Sequence, residues 1–254
     1  MQANGAVVGL IDVPQEHTHD YNVWYDFDHL PEFVALDDML LGRRYVADTE
    51  CKAARPNPSK LPELADGKGS YCSTYFMNTD DIGAVMGYWN EAGARLRKEK
   101  RIFRHGKIAD VTFYKLIQAH ARPGIPVVEA AIPYLGHQGI YVVMAEVADP
   151  AMRPAVNEWF AEAHSKDLLT VPGVVAAMRL EAHAEFGTGA EKAGRYMNLY
   201  LLDEDPVKTV AEIQNAREGW VARGTSPAPG GASNVLFQSP YRYVTPTRYD
   251  FRVE

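Results

Sequence analysis

The sequence predicts an α+β fold in which two tandem β-α-β-β-α-β units close their sheets into one barrel. Three observations predict it. A shift of 135 residues lays Val7–Ala47 on Val142–Ala182 without a gap. Identical pairs are Val7/Val142, Val8/Val143, Asn22/Asn157, Trp24/Trp159, His29/His164, Arg44/Arg179 and Ala47/Ala182. A second match sets YCSTYFMNTDD from Tyr71 beside YMNLYLLDEDP from Tyr196, which places Tyr75 over Tyr200. VTFYKLI from Val111 and VLFQSPY from Val235 then place Phe113 over Phe237. A repeat of this length is one supersecondary unit used twice.

Each element of the first copy follows from local signals. Ala6–Val13 is apolar and β-branched, as a buried strand requires. A helix is expected from Thr18, read as its N-cap, to Asp28, with Pro31 ending it. Leu40–Val46 reads as the second strand, and Tyr71–Met77, rich in aromatic and hydroxyl residues, as the third. Ile82–Lys100 carries Val85, Met86, Trp89 and Leu96 at helical spacing, and Ile108–Ile117 is the fourth strand. That order is the split βαβ unit, which covers one sheet face with helices and leaves the other bare. A second copy is the natural cover. The expected boundaries are residues 1–120 and 139–254 for the units and 121–138 for a Pro- and Gly-rich connector. Two irregular stretches, Glu50–Gly69 and Gly224–Ser233, are long enough to be functional loops.

Composition excludes several classes. The 254 residues are 46% hydrophobic and 23% charged, enough for a substantial core, and the net charge of −7 argues against nucleic-acid binding. The basic run Arg95–Arg101 reads as a solvated helix end. Neither a signal peptide nor an apolar stretch of about 20 residues is visible, so no membrane association is expected. Cys51 and Cys72 read as free thiols in a reducing cytoplasm. No phosphate-binding, dinucleotide-binding or nucleophile-elbow motif occurs. His17 and His19 in EHTHD have weak spacing for metal, so no metal is expected. Homodimerisation is left open.

YNVWYDFDHLPEFVALDDMLLGRRYVA resembles the opening segment of EthD-like proteins in the dimeric α/β-barrel (ferredoxin-like) superfamily. The resemblance covers about forty residues of each copy, and the element order extends it over most of the chain. It implies a barrel made by two ferredoxin-like units, here within one chain. Members include lactone isomerases, polyketide cyclases, cofactor-free oxygenases and heme enzymes, so the resemblance implies a fold rather than a reaction.

His29 and His164 are the leading chemical candidates, placed near a helix C-terminus that would favour imidazolium and titration near neutral pH. A packing role for both is the competing reading, because repetition marks what the fold needs. Around His29 stand Tyr25 and Asp26, where the second copy has Phe160 and Ala161. Only the first imidazole therefore has a phenol and a carboxylate within helical reach to support general acid–base work. Arg43 and Arg44 point to opposite faces of a strand. Arg44 recurs as Arg179 and reads as a structural ion pair, whereas Arg43 is free to stabilise an oxyanion. Tyr75, Tyr200 and His164 are candidate substrate contacts, and Trp24 and Trp159 read as core anchors.

The expected function is acid–base catalysis without a cofactor: isomerisation, cyclisation, dehydration or lyase chemistry on a small, apolar, aromatic or lactone-like substrate held between the sheets. A cofactor-free oxygenase would use the same pocket. A heme dehydratase or peroxidase would need an axial histidine. A non-catalytic small-molecule-binding protein is the remaining alternative.

Overall fold

The computed structural model describes residues 2–189 and 191–254. The first unit runs β1 (Gly5–Asp12), α1 (Thr18–Trp24), a π turn (Tyr25–His29), α2 (Leu30–Val34), β2 (Met39–Val46), α3 (Thr49–Ala53), β3 (Tyr71–Met77), α4 (Ile82–Lys98) and β4 (Lys107–Ala121). The second runs β5 (Gly139–Glu146), α5 (Arg153–Trp159), a π turn (Phe160–His164), α6 (Ser165–Leu168), β6 (Val174–Glu185), β7 (Arg195–Leu202), α7 (Pro206–Ala222) and β8 (Asn234–Tyr243). All neighbouring strands pair antiparallel and close a barrel in the order β1-β3-β2-β8-β5-β7-β6-β4. Each unit supplies four adjacent strands. The seams are unequal. β4 pairs with β6 from Thr112 to Ala121, whereas β2 meets β8 only at Tyr45–Val46. The long seam explains why β4 outruns the expected Ile108–Ile117: its extra residues are held by the other unit.

Strand alternation sorts the side chains into two compartments. Val8, Leu10, Tyr45, Cys72, Phe76 and Tyr114 of the first unit meet Val142, Met144, Met178, Leu180, Met197 and Leu199 of the second inside the barrel. That interior is a packed core. The opposite faces, with Val7, Tyr71, Tyr75 and Phe113 in one unit and Tyr141, Val143, Ala177 and Tyr200 in the other, lie beneath the helices. The sequence pairs Val7/Val142, Val8/Val143 and Phe113/Phe237 therefore face opposite sides of the sheet and are corrected. The expectation of a substrate cavity between the two sheets is therefore corrected: bulky residues from both units fill that space.

The first helix also differs from expectation. Thr18 is not its cap, because a short 3-10 turn, Gln15–His17, precedes it and the Thr18 hydroxyl makes no capping bond. Pro31 does not end the helix, which continues to Val34. In the widened turn the Leu30 amide reaches back to the Tyr25 carbonyl, and Pro31 then sits at the start of the following α segment. The first helical turn is the place where a missing N–H costs least. The second unit has the same π turn with Lys166 at that point, so the turn belongs to the unit and the proline is merely accommodated. Helices α4 and α7 are capped alike, by Asp81 accepting from the Ala84 amide and Asp205 accepting from the Val207 and Lys208 amides.

The chain beyond β8 returns to the first unit. Tyr249 and Phe251 pack with its helix-side core, the Thr49 amide donates to the Arg252 carbonyl, and the Thr49 hydroxyl donates to the Glu254 carbonyl.

Candidate functional site

Each unit holds a pocket between its helices and the outer face of its own sheet. The first has a cavity of ≈ 280 Å³ and the second ≈ 110 Å³. The first floor is Val7, Gly9 and Ile11 of β1 with Ser73 and Tyr75 of β3. Its walls are Tyr21, Trp24, Tyr25, His29 and Phe33 from the first helix, with Trp89, Gly93 and Arg97 from α4. Phe103 and Phe186 complete it, the latter from just beyond β6 of the other unit. A Cβ on Gly9 would stand 3.0 Å from the Ser73 hydroxyl, so the glycine keeps this floor low.

His29 lies at the end of the first π turn, between Trp24, Tyr25 and Phe33, whose ring centroids are 4.6, 4.7 and 4.5 Å away. Its Nδ1 is buried without a hydrogen-bond partner. Burial pushes the imidazole down to about 3, against an ordinary value of 6.5. The sequence placed His29 near a helix C-terminus, titrating near neutral pH. The structure places it within the helix, enclosed by aromatic rings and neutral at neutral pH.

Asp26 does not orient it. One Asp26 oxygen is 2.5 Å from Arg44 Nη1, with both side chains buried, and the other accepts from the Tyr249 hydroxyl at 2.6 Å. Arg44 also bonds the Asn22 side-chain oxygen at 2.5 Å and lays its guanidinium 4.3 Å from the centre of the Tyr25 ring. The buried arginine claims the carboxylate because an uncompensated guanidinium there would cost several kcal/mol (about 3–5). Tyr25 accepts a hydrogen bond from the Tyr75 hydroxyl at 2.9 Å. Burial raises both phenols, so both are protonated throughout the neutral range.

Arg43 stands elsewhere, on the barrel-facing side of β2. Its Nη2 donates to the Tyr134 carbonyl at 3.4 Å, and its guanidinium lies 5.8 Å from the Tyr243 ring centre. Nearby, Tyr45 hydrogen-bonds His137 at 2.9 Å, so this end of the barrel is closed by the segment before β5. The expected oxyanion role for Arg43 beside His29 is thereby corrected.

The second pocket is lined by Trp159, His164, Asn198, Tyr200, Arg217, Trp220 and Gln238, together with the loop around Pro227. Here His164 Nε2 is 3.0 Å from the Tyr200 hydroxyl, and burial pushes the imidazole down to about 4. Trp24 and Trp159 are half-buried pocket walls rather than sealed core anchors. Each also donates its indole N–H to a backbone carbonyl just past the long helix of its unit, Arg101 after α4 at 2.6 Å and Thr225 after α7 at 2.8 Å.

Of the residues singled out by sequence, Tyr25, His29 and Tyr75 meet in the first pocket and His164 and Tyr200 in the second. Asp26 lies behind the first, and Arg43 faces the barrel. Tyr21, Trp89, Phe103 and Phe186 carry no motif. Only the helical spacing of Trp89 marked it, and that as core.

Among the described residues, no group of three or more His, Cys, Asp or Glu could hold a metal ion. His17 stacks on His105 at 3.8 Å instead of joining His19. The histidines of these two pockets do not fit a heme either. A metal-ligating imidazole normally donates its second nitrogen to an acceptor, and Nδ1 of both His29 and His164 lacks one. His164 Nε2 is already engaged by Tyr200. The first of these two cavities, ≈ 280 Å³, is just below the about 300–1,000 Å³ usual for ligand sites. No helix among the described residues is long and apolar enough to cross a membrane.

No family model matches the sequence, and no curated relative matches it. Solved structures do match. A dye-decolorizing peroxidase from Bacteroides thetaiotaomicron superposes with a TM-score of 0.57 at 10% identity, covering 98% of this chain and 94% of that one. The encapsulated DyP-type peroxidase from Mycobacterium smegmatis gives 0.56 at 11% identity over 98% and 95%. An anthrone oxidase-like protein gives 0.53 at 12% identity over 96% and 92%. At such identities the likeness establishes the fold, a dimeric α/β-barrel of ferredoxin-like units.

Proposed function

We propose that this chain, a tandem EthD-like protein of the cytoplasm, is a cofactor-independent acid–base enzyme for a small planar aromatic substrate, and that its first pocket is the active site. The observation that supports the reading is the aromatic-walled cavity containing a shielded, neutral imidazole and a pair of tyrosine hydroxyls. Aromatic walls select flat apolar rings by stacking and edge contacts. His29 has its lone pair available at neutral pH and acts as the base, taking a proton from a carbon adjacent to a carbonyl. The C–H electron pair becomes a carbon–carbon π bond, and the carbonyl π pair moves onto the oxygen. Tyr75 donates to Tyr25, which leaves the Tyr25 proton to meet that oxygen.

An imidazole held down to about 3 is a weak base by itself. The imidazolium and enolate form together in a poorly hydrated pocket, where their attraction offsets the burial that depressed the imidazole. The enolate can be reprotonated elsewhere, expel a leaving group, or react with dioxygen. One solved structure of the same fold bears the description anthrone oxidase-like, which makes anthrone a rational probe. In deuterated buffer the protein should accelerate exchange at the acidic CH₂ of anthrone, and His29→Ala should abolish the acceleration. Exchange no faster than buffer, with anthrone bound, would instead support a non-catalytic small-molecule-binding protein.

A further inference from the structure

We propose that the molecule held in the first pocket is an aromatic carboxylate, seated with its rings inward and its carboxylate on Arg97. The proposal rests on the reading of this pocket as the ligand site and names the class of molecule that fits it. The wall of the pocket is aromatic and aliphatic, and the cation at its edge is Arg97. The two arginines nearest it in sequence are occupied: Arg95 by Glu32, and Arg101 by Asp28, Glu32 and Glu99. The Arg97 side chain makes no hydrogen bond or ion pair among the described residues, although four positions away Arg101 gathers three acids.

The helix is shaped to aim it. Side chains on a helix lean toward the N-terminus, so a residue covers the turn before its own. One turn before Arg97 stands Gly93, which is buried and also lines the pocket. A Cβ built on Gly93 would lie 3.5 Å from Arg97 Nη1 and 3.9 Å from Nη2. The guanidinium is thus folded back over the gap left by the missing side chain. There its planar fork can take a carboxylate through two parallel hydrogen bonds. Aligning the capping residues Asp81 and Asp205 sets Arg217 at the position of Gly93 and Val221 at that of Arg97. The glycine–arginine pair is therefore a feature of the first unit and not of the repeat.

The test compares 2-naphthoate with its neutral isostere 2-naphthamide by quenching of tryptophan fluorescence at neutral pH. The wild-type protein should bind the carboxylate about tenfold more tightly, the scale of a charge-assisted pair at a pocket edge. Arg97→Gln should erase that preference while leaving 2-naphthamide affinity within about twofold. Arg97→Glu should invert it, so that the 2-naphthylmethylammonium cation binds more tightly than 2-naphthoate. Equal affinity for acid and amide in the wild type, or a preference that survives Arg97→Gln, overturns the carboxylate assignment alone. If neither naphthalene binds, the aromatic-pocket reading falls with it.

Discussion

In the first unit the Tyr75 hydroxyl is bonded to Tyr25; in the second, the equivalent Tyr200 is bonded to His164. The difference traces to one oxygen. Phe160 replaces Tyr25 in the second copy, so Tyr200 has no phenol to meet and turns to the imidazole. The same exchange of polar for apolar residues separates the buried arginines. Arg44 has Asp26 as its counterion, whereas the second copy has Ala161 in place of Asp26 and Arg179 is held by the amide oxygens of Asn157 and Asn198, with Nη2 unpartnered. The cavities differ in the same sense, ≈ 280 against ≈ 110 Å³. One scaffold thus presents a free imidazole in a roomy pocket and a tied imidazole in a small one.

The largest expected effect breaks the comparison at its centre. His29→Ala should lower turnover by about 10²–10⁴-fold, the usual worth of a positioned acid–base group. His164→Ala should leave the rate within about twofold and cost stability, on the order of 1–3 kcal/mol, because the buried Tyr200 hydroxyl loses its partner. Rates and melting temperatures of both variants decide the matter, and equal rate losses would mean two working sites. Next in size is the counterion. Asp26→Ala should destabilise by about 3–5 kcal/mol because Arg44 is left buried and uncompensated. Ala161→Asp should raise the stability by giving Arg179 the carboxylate it lacks. Urea denaturation of the two variants reads both, and equal small changes would dissolve the distinction.

Burial holds His29 down to about 3 and His164 down to about 4, while both sit near 6.5 when unfolded. Between those values the unfolded chain binds more protons, so stability rises with pH. Their contribution is complete above about 6.5 and lost as the pH falls toward 4 and then 3. Calorimetry from pH 7 to 4 should show a falling melting temperature, less steep in His164→Phe. An unchanged slope would contradict the neutral, buried imidazole. The smallest effects should be equal in the two units. Trp24→Phe and Trp159→Phe each remove one indole hydrogen bond and should each cost about 0.5–1.5 kcal/mol.

The doubled architecture was legible because Trp, Asn and His recur at fixed spacing, and such residues tolerate little drift where they hold a helix on a sheet. The location of the pocket was not. Ala6–Leu10 is apolar on both faces, since one face packs the barrel and the other lies under helices, so alternation cannot show which side holds ligand. The opposite facing of Arg43 and Arg44 was readable, but not that Arg43 faces the packed interior. Asp26 was read as serving its neighbour in the helix, although Arg44 makes the stronger claim across eighteen residues of chain. The π turns leave no sequence mark, and they are what carries the chain past Pro31 and buries His29.

If the Tyr25–Tyr75 pairing keeps His29 free, Tyr25→Phe should tie it. This substitution gives the first unit the ring of the second, so Tyr75 should turn to His29 as Tyr200 does to His164. The measurement is deuterium exchange at the anthrone CH₂, alongside anthrone affinity by tryptophan quenching. Exchange should fall by about tenfold or more, with affinity nearly unchanged, on the scale of one lost oxyanion contact and a sequestered base. Exchange at the wild-type rate in a folded, anthrone-binding Tyr25→Phe protein would contradict it.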